Sequence, residues 1–491
     1  MKKKLGFAAR VICFLLLFGI CYHVYCRWIT PKFFTDTDWP TTTTFAGFYE
    51  LEKDSVDVLF LGSSHGVTSF CPQEVYNQYG ITGYNLSSDQ QGLVTSYYWL
   101  KEALRYQSPK AVVLECYFCF PYIADEPLNT DESYTRKALD FMKWSPVKAE
   151  AVKTICEIDT SQDAWSYYLP HLRYHERWLL DAPDRNDYIY RVMAGHSELK
   201  GYSPLHFYLG EKGEGFEPHD MDTAAGYAQM APLMLEYLDK INDLCREREI
   251  SLILTITPAV SANIDMCNAV QAYADREDCT FISFNEQNVY RQMGYQMDLD
   301  NCDDGHPNIW GAVKVSDYIG GVLSERFGLG GRTEPQWEAT KEDYAFTLDD
   351  CERWHEGELD RYLSLLNHEQ YTLVITYQSD VYNLEESTVE TLRDLGLSAD
   401  LMGQDGCNYL AVISEGRVLT EQLTFEDAEY QGALSQNRIP LYARSARTEW
   451  GSGKTAVSFG EEEYYSENSG LHVVVYNNQK RKMVDGRWYE T

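Results

Sequence analysis

The chain has 491 residues, 44% of them hydrophobic and 14% aromatic, with a formal net charge of −33. That length exceeds what one ordinary core organises, so two or three domains are expected, and the apolar content excludes a disordered polymer. So acidic a body is also excluded as a surface that grips nucleic acid or anionic lipid, because both carry charge of the same sign.

Residues 1–26, MKKKLGFAARVICFLLLFGICYHVYC, contain Lys2, Lys3, Lys4 and Arg10, no acidic residue, and an uncharged apolar run from Val11 to Cys26. The run is near the lower limit for a spanning helix, about 17 residues, but Arg10 can snorkel and Trp28 can sit at the far interface. Residues 1–28 read as a cytoplasmic head and an uncleaved signal anchor, with everything after them extracytoplasmic. A cleaved signal peptide is the alternative, although no small-x-small site follows the run. Residues 29–53 form a juxtamembrane segment.

Beyond it, short runs rich in β-branched and aromatic residues predict buried strands: 57–62 (DVLFLG), 83–87 (GYNLS), 111–118 (AVVLECYF), 251–258 (SLILTITP) and 280–284 (TFISF). Helical patterns separate them over Thr95–Tyr106, Met230–Glu249, Ile264–Arg276 and, after Pro307, Trp310–Phe327. Alternating strand and helix predict an α/β fold, a parallel sheet with helices on both faces. From 123 to 222 the alternation breaks into a Trp-, Tyr- and His-rich stretch, too long for an ordinary loop and read as a helical insertion able to cover a cleft. Within it His171, His175 and Trp178 share one helical face; without a carboxylate or cysteine at fitting spacing, packing is favoured there over a metal site.

The glycines, proline and charges of 329–345 read as a linker. A second, smaller α/β domain follows over 346–491, with a charged helix at Leu348–Leu366, strands at 371–377, 408–414 and 471–477, and an amphipathic helix at 384–397. Ten of the thirteen cysteines lie scattered from Cys71 to Cys407; most are read as buried thiols, and a few disulfides stay open.

In a parallel α/β sheet ligands gather at the carboxyl ends of strands. The run LFLGSSH ends the first strand there, so Ser63 or Ser64 presents its hydroxyl to the cleft. A serine needs a base, and a histidine base needs a carboxylate to fix its tautomer. NCDDGHPNIWG (301–311) supplies both, with Asp303 and His306 three residues apart in a loop that Pro307 leads into a helix. Asp304 is the alternative carboxylate. His65, beside the serines, and Glu115, at the end of the third strand, are read as residues that line the cleft, with a partly exposed turn histidine and a structural, hydrogen-bonded carboxylate as the respective alternatives.

Gly62-Ser63-Ser64 and Asp303-Asp304-Gly305-His306, in that order, resemble the motifs of the SGNH (GDSL-like) hydrolases over about residues 54–328. The resemblance is nearer to their membrane-anchored relatives of the DltD and alginate O-acetyltransferase AlgJ/AlgX type. It implies a three-layer αβα flavodoxin-like domain in which Ser64 is the nucleophile, His306 the base and Asp303 its orienter. Ser64, Asn85 and Gly92 then stand where oxyanion donors are expected, although no GxND motif is present and Ser63 replaces the usual Asp. The implied chemistry is ester hydrolysis or O-acyl transfer on cell-wall polysaccharide or exopolysaccharide, with no cofactor or metal. Its partners would be an acyl donor, a glycan acceptor and a membrane-bound O-acyltransferase. Residues 371–397, 408–422 and 471–491 resemble the interleukin-like EMT inducer (ILEI, PANDER-like) domain, which implies a glycan-binding module, with a structural cap on the first domain as the alternative; Trp354, Tyr409, Trp450 and Trp488 are read either as stacking on sugar rings or as core residues. A catalytically silent glycan-binding surface protein is the competing reading.

Overall fold

The computed structural model describes residues 2–29, 41–123, 125–169, 171–175, 199–221, 226–378, 384–402, 406–434, 439–447 and 453–490. They divide into two compact units, Met1–Tyr344 and Ala345–Thr491.

The first unit is built on five parallel strands: β1 (Val58–Leu61), β2 (Gly83–Asn85), β3 (Ala111–Glu115), β4 (Ser251–Ile256) and β5 (Thr280–Ser283), in the order β2-β1-β3-β4-β5. These are the five predicted strands. Alternate residues of each feed two separate cores: Leu59, Leu61, Val112, Leu114 and Leu254 on one face, Val58, Phe60, Val113 and Ile253 on the other. Burial on both faces is why the strands read as mostly apolar runs. The predicted helices form at Leu93–Ala103, Pro232–Glu247, Ile264–Glu277 and Ile309–Phe327. The last of these and Pro72–Tyr79 pack into the second core, the other three into the first. The N-terminal helix Lys2–Ile29 holds an apolar stretch, Gly6–Cys26, of 21 residues, long enough to cross a membrane.

Two segments differ from expectation, and the described part of the insertion carries helices as read. The juxtamembrane stretch carries a helix, Thr41–Phe48, whose Phe45 stacks on Trp99 at 4.4 Å and is fully buried with Phe48 in the first core. The expected linker is packed structure: Gly331 and Arg332 amides donate to Tyr79 and Gly80 carbonyls, and Trp337 is fully buried. In the insertion, helices Glu132–Leu139, Pro146–Ile158, Ala164–Tyr168 and the single turn His171–Tyr174 form. His171 Nδ1 shares a hydrogen bond with Tyr22 at 2.6 Å, and Trp178 lies outside the described residues.

The second unit is richer in strand than expected. A five-stranded antiparallel sheet runs β14-β13-β6-β7-β8, and a four-stranded one β12-β11-β10-β9. Here β6 is Tyr371–Gln378, β7 Asn408–Ser414, β8 Arg417–Thr424, β9 Ala428–Leu434, β10 Ile439–Arg447, β11 Gly453–Phe459, β12 Glu462–Ser466, β13 Gly470–Asn477 and β14 Lys482–Tyr489. Val374, Val412 and Val474 face the smaller sheet, while Leu373, Ile413 and Val473 face the helices. The charged helix breaks into Lys341–Arg353 and Leu359–Ser364, and the amphipathic one is Glu386–Asp394. Tyr409 is a core residue, 1% exposed and bonded to Glu421, so it cannot stack on a sugar; Trp354 and Trp488 are exposed, and Trp450 lies outside the described residues. None of the thirteen cysteines forms a disulfide.

Beneath this sheet Asp350 accepts from Arg353 (2.9 Å), Lys480 (2.9 Å) and Tyr371 (2.5 Å). Burial opposes the Asp350 charge, but Lys480 and Arg353 hold its carboxyl well below the usual carboxylate range. A depressed carboxyl stabilises the fold above its unfolded pKa, about 4, and that contribution fades as pH falls toward its folded value. Asp350→Asn is therefore expected to cost about 2 kcal/mol at pH 7, because buried Arg353 loses one of its two carboxylate partners, keeping Asp485, and Lys480 loses its own, and less below about pH 4. Urea unfolding of both chains across pH checks this.

Candidate active site

β1 ends in a turn that only glycine permits. Gly62 has φ +156°, and a Cβ there would lie 2.6 Å from the Cβ of Glu115 on neighbouring β3. Ser63 then caps the helix Ser64–Ser69: its Oγ accepts from the His65 amide at 3.3 Å and donates to Glu115 Oε2 at 2.8 Å. Ser63 is fully buried. Ser64, at the first helical position, turns its hydroxyl the other way, into the cleft, and its own N–H belongs to the helical turn whose amides have no intrahelical acceptor.

The partners arrive from the loop before Ile309–Phe327. Asn308 caps that helix by accepting from the Gly311 amide, and its side-chain amide donates to Leu299 and Phe207 carbonyls. Asn301 donates to the Asp303 and Pro258 carbonyls and accepts from Tyr295, so both ends of the loop are tied down. Between them Asp303 Oδ1 accepts from the Gly305 and His306 amides at 2.8 and 2.9 Å. His306 Nδ1 lies 2.8 and 2.9 Å from the two Asp303 oxygens, and its Nε2 lies 2.8 Å from Ser64 Oγ. Burial works against the Asp303 charge; the hydrogen bond and charge of His306 more than offset it and bring the carboxyl down to about 2. An anionic carboxylate on Nδ1 fixes the proton there and leaves Nε2 to accept from the serine. Asp304 stays outside this relay.

The relay opens on a cleft of about 480 Å³ lined by Tyr117, Phe118, Tyr122 and Tyr208, with Lys212, Ser261, Cys302 and Asp304 among its polar members. Tyr208 and Lys212 belong to the expected insertion. His65 lines the cleft too, stacked on Tyr117 at 3.9 Å, and burial lowers its pKa well below the ordinary histidine value, so it is neutral.

Three expected site residues lie elsewhere. Asn85 spends its side-chain amide on the Gly66 and Phe70 carbonyls, both at 2.9 Å, so it holds the helix down and has no donor left for an oxyanion. Gly92 caps Leu93–Ala103 against the Leu128 carbonyl and does not reach the cleft. Glu115 lies beneath the turn instead of along the cleft wall. The scaffold asparagines Asn301 and Asn308 were missed, although Asn308 sits in a Pro-Asn helix-start signal that sequence reading can use. Among the described residues no three His, Cys, Asp or Glu side chains gather as a metal site.

No family model matches this chain, and no curated protein does. Several solved structures are similar to it, two of them as follows. One, described as a candidate acylhydrolase of Bacteroides fragilis NCTC 9343, is 13% identical over 60% of this chain and 99% of its own, with a TM-score of 0.27. The other, described as a GDSL-like lipase of Bacteroides thetaiotaomicron VPI-5482, is 13% identical over 57% of this chain and 99% of its own, with a TM-score of 0.26. At these values the likeness carries no argument about chemistry, which rests on the geometry.

Proposed function

We propose that the chain is a serine acyl hydrolase or O-acyltransferase of the SGNH type, anchored in a membrane by its N-terminal helix. Its folded units would stand on the extracytoplasmic side and add or remove acyl groups on a cell-wall or secreted polysaccharide. The observation that carries the reading is the continuous relay from Ser64 Oγ through His306 to Asp303, each link within 2.9 Å.

In this reading Ser64 Oγ attacks the acyl carbonyl while His306 Nε2 takes its proton, then returns it to the departing alkoxide, leaving an acyl-serine. Water or a sugar hydroxyl, deprotonated in turn by His306, attacks that ester and frees Ser64. The first half-reaction is common to hydrolysis and transfer; the membrane anchor favours transfer, with a membrane-bound acyltransferase supplying the acyl group. The exposed Tyr122 and Tyr208 rings of the cleft support a carbohydrate acceptor, because flat apolar faces with polar edges suit sugar rings. The second unit would hold the polymer, and its exposed Trp354 and Trp488 are suited to that.

The test is to incubate the full-length chain in detergent with a serine-reactive fluorophosphonate and with a small acetyl ester. Labelling and turnover that vanish in Ser64→Ala support the reading; a wild-type chain that does neither sinks it. Asp303→Asn is expected to lower kcat about 100-fold with KM little changed, in initial-rate measurements. The loss is smaller than for the other two residues because the Asp303 side chain is 53% exposed and water shares its role.

A further inference from the structure

Glu115 is 1% exposed, yet nothing basic pairs with it among the hydrogen bonds and ion pairs of the described residues. Its Oε2 accepts from the Ser63 hydroxyl at 2.8 Å and the Ser63 amide at 3.4 Å, and its Oε1 accepts from the Tyr117 amide. With its proton committed to Glu115, the Ser63 hydroxyl has a lone pair free for the His65 amide, one residue beyond Ser64. A chain of hydrogen bonds thus runs from the end of β3 to the helical turn that aims Ser64.

We infer that Glu115 is a positioning residue: without touching substrate, its carboxylate fixes the Ser63 hydroxyl and so the direction of Ser64 Oγ toward His306. The inference rests on reading Ser64 as the nucleophile. The Ser63 and Tyr117 amides can only donate and the Ser63 hydroxyl donates in this arrangement, so the ionised form accepts from all three; a proton on Oε2 would turn the Ser63 hydroxyl from donor to acceptor and loosen its hold on the turn. Burial pushes the Glu115 carboxyl up to about 7, against the Tyr117 and Ser63 hydrogen bonds that pull it down. The grip on the turn therefore strengthens as pH rises through neutrality. The titratable groups around it are His306 from the facing loop, neutral His65 from the helix, and Cys116 and Tyr117 from its own strand end, both pushed upward by burial; β4 contributes Thr255.

The experiment compares wild type, Glu115→Gln, Ser63→Ala and the double variant on a small acetyl ester from pH 5.5 to 9, using the full-length chain. Glu115→Gln is expected to lower kcat about tenfold at pH 8 with KM within about twofold, since a misdirected nucleophile costs rate and not binding. The ratio of wild type to variant should narrow toward one below about pH 6, where wild-type Glu115 is itself protonated. Ser63→Ala should give a similar loss, and the double variant no more than the larger single loss, because both break one chain of contacts. Flat ratios across pH, a change in KM alone, or fully additive losses would overturn the inference. A wild-type chain that neither labels with fluorophosphonate nor turns over ester would instead remove the nucleophile reading on which it stands.

Discussion

Ser64→Ala is expected to abolish fluorophosphonate labelling and to lower ester turnover by about 10⁴-fold or more. The substitution deletes the hydroxyl that lies 2.8 Å from His306 Nε2, so no acyl-enzyme forms and any residual rate comes from water in the cleft. Ser64 is only partly buried and packs as a small residue at the first turn of a helix, a position where alanine is well tolerated. KM and thermal stability should therefore stay near wild type, which separates this loss from a folding defect. Ser63→Ala provides the contrast: its hydroxyl faces Glu115 and not the cleft, so it should keep the label and lose only part of the rate. A Ser64→Ala chain that still labels at the wild-type rate, with labelling traced to Ser63, would overturn the assignment.

His306→Ala is expected to cost about as much in kcat, on the order of 10⁴-fold, while leaving Ser64 in place. Its diagnostic is the pH profile. Without a base the serine must ionise unaided, so the variant's rate should climb about tenfold per pH unit across the alkaline range, where the wild-type profile has levelled off. Slow residual labelling by fluorophosphonate should follow the same slope. The loop itself should survive the change, since Asp303 keeps the Gly305 amide, and Asn301 and Asn308 hold the two ends. A variant whose rate stays flat with pH and close to wild type would mean that His306 is not the base.

The strands of the first unit were legible because they are largely buried on both faces, which leaves few polar residues along the run: Val58–Leu61 is VLFL, and Ala111–Glu115, AVVLE, is apolar up to its last residue. Strands β8 to β12 escaped for the converse reason. RVLTEQLT of β8 and AEYQGAL of β9 put charged and small residues on solvent-facing positions, and nothing in their composition distinguishes them from loop until a partner strand is beside them. The segment 329–345 has the composition of a linker, and its glycines and proline conceal one indole, Trp337, that finds a core only in three dimensions.

For the candidate site, the sequence alone determined the chemical types: a small-residue turn at the end of an apolar strand, and an Asp-x-x-His loop ahead of a terminal helix. Each motif is local, and local chemistry is what a linear pattern records. Only the tertiary structure brought Ser64 to His306, 242 positions apart along the chain, and turned Ser63 away from the cleft. It also assigned the two residues whose types were legible but whose directions were not. Asn85 points its amide at the carbonyls of the helix and away from an oxyanion, and Glu115 points its carboxylate at the turn and away from substrate. The direction of a side chain depends on which strand lies beside it and what fills the space between them, and the order β2-β1-β3 that sets Glu115 beside Gly62 exists only once the sheet has formed.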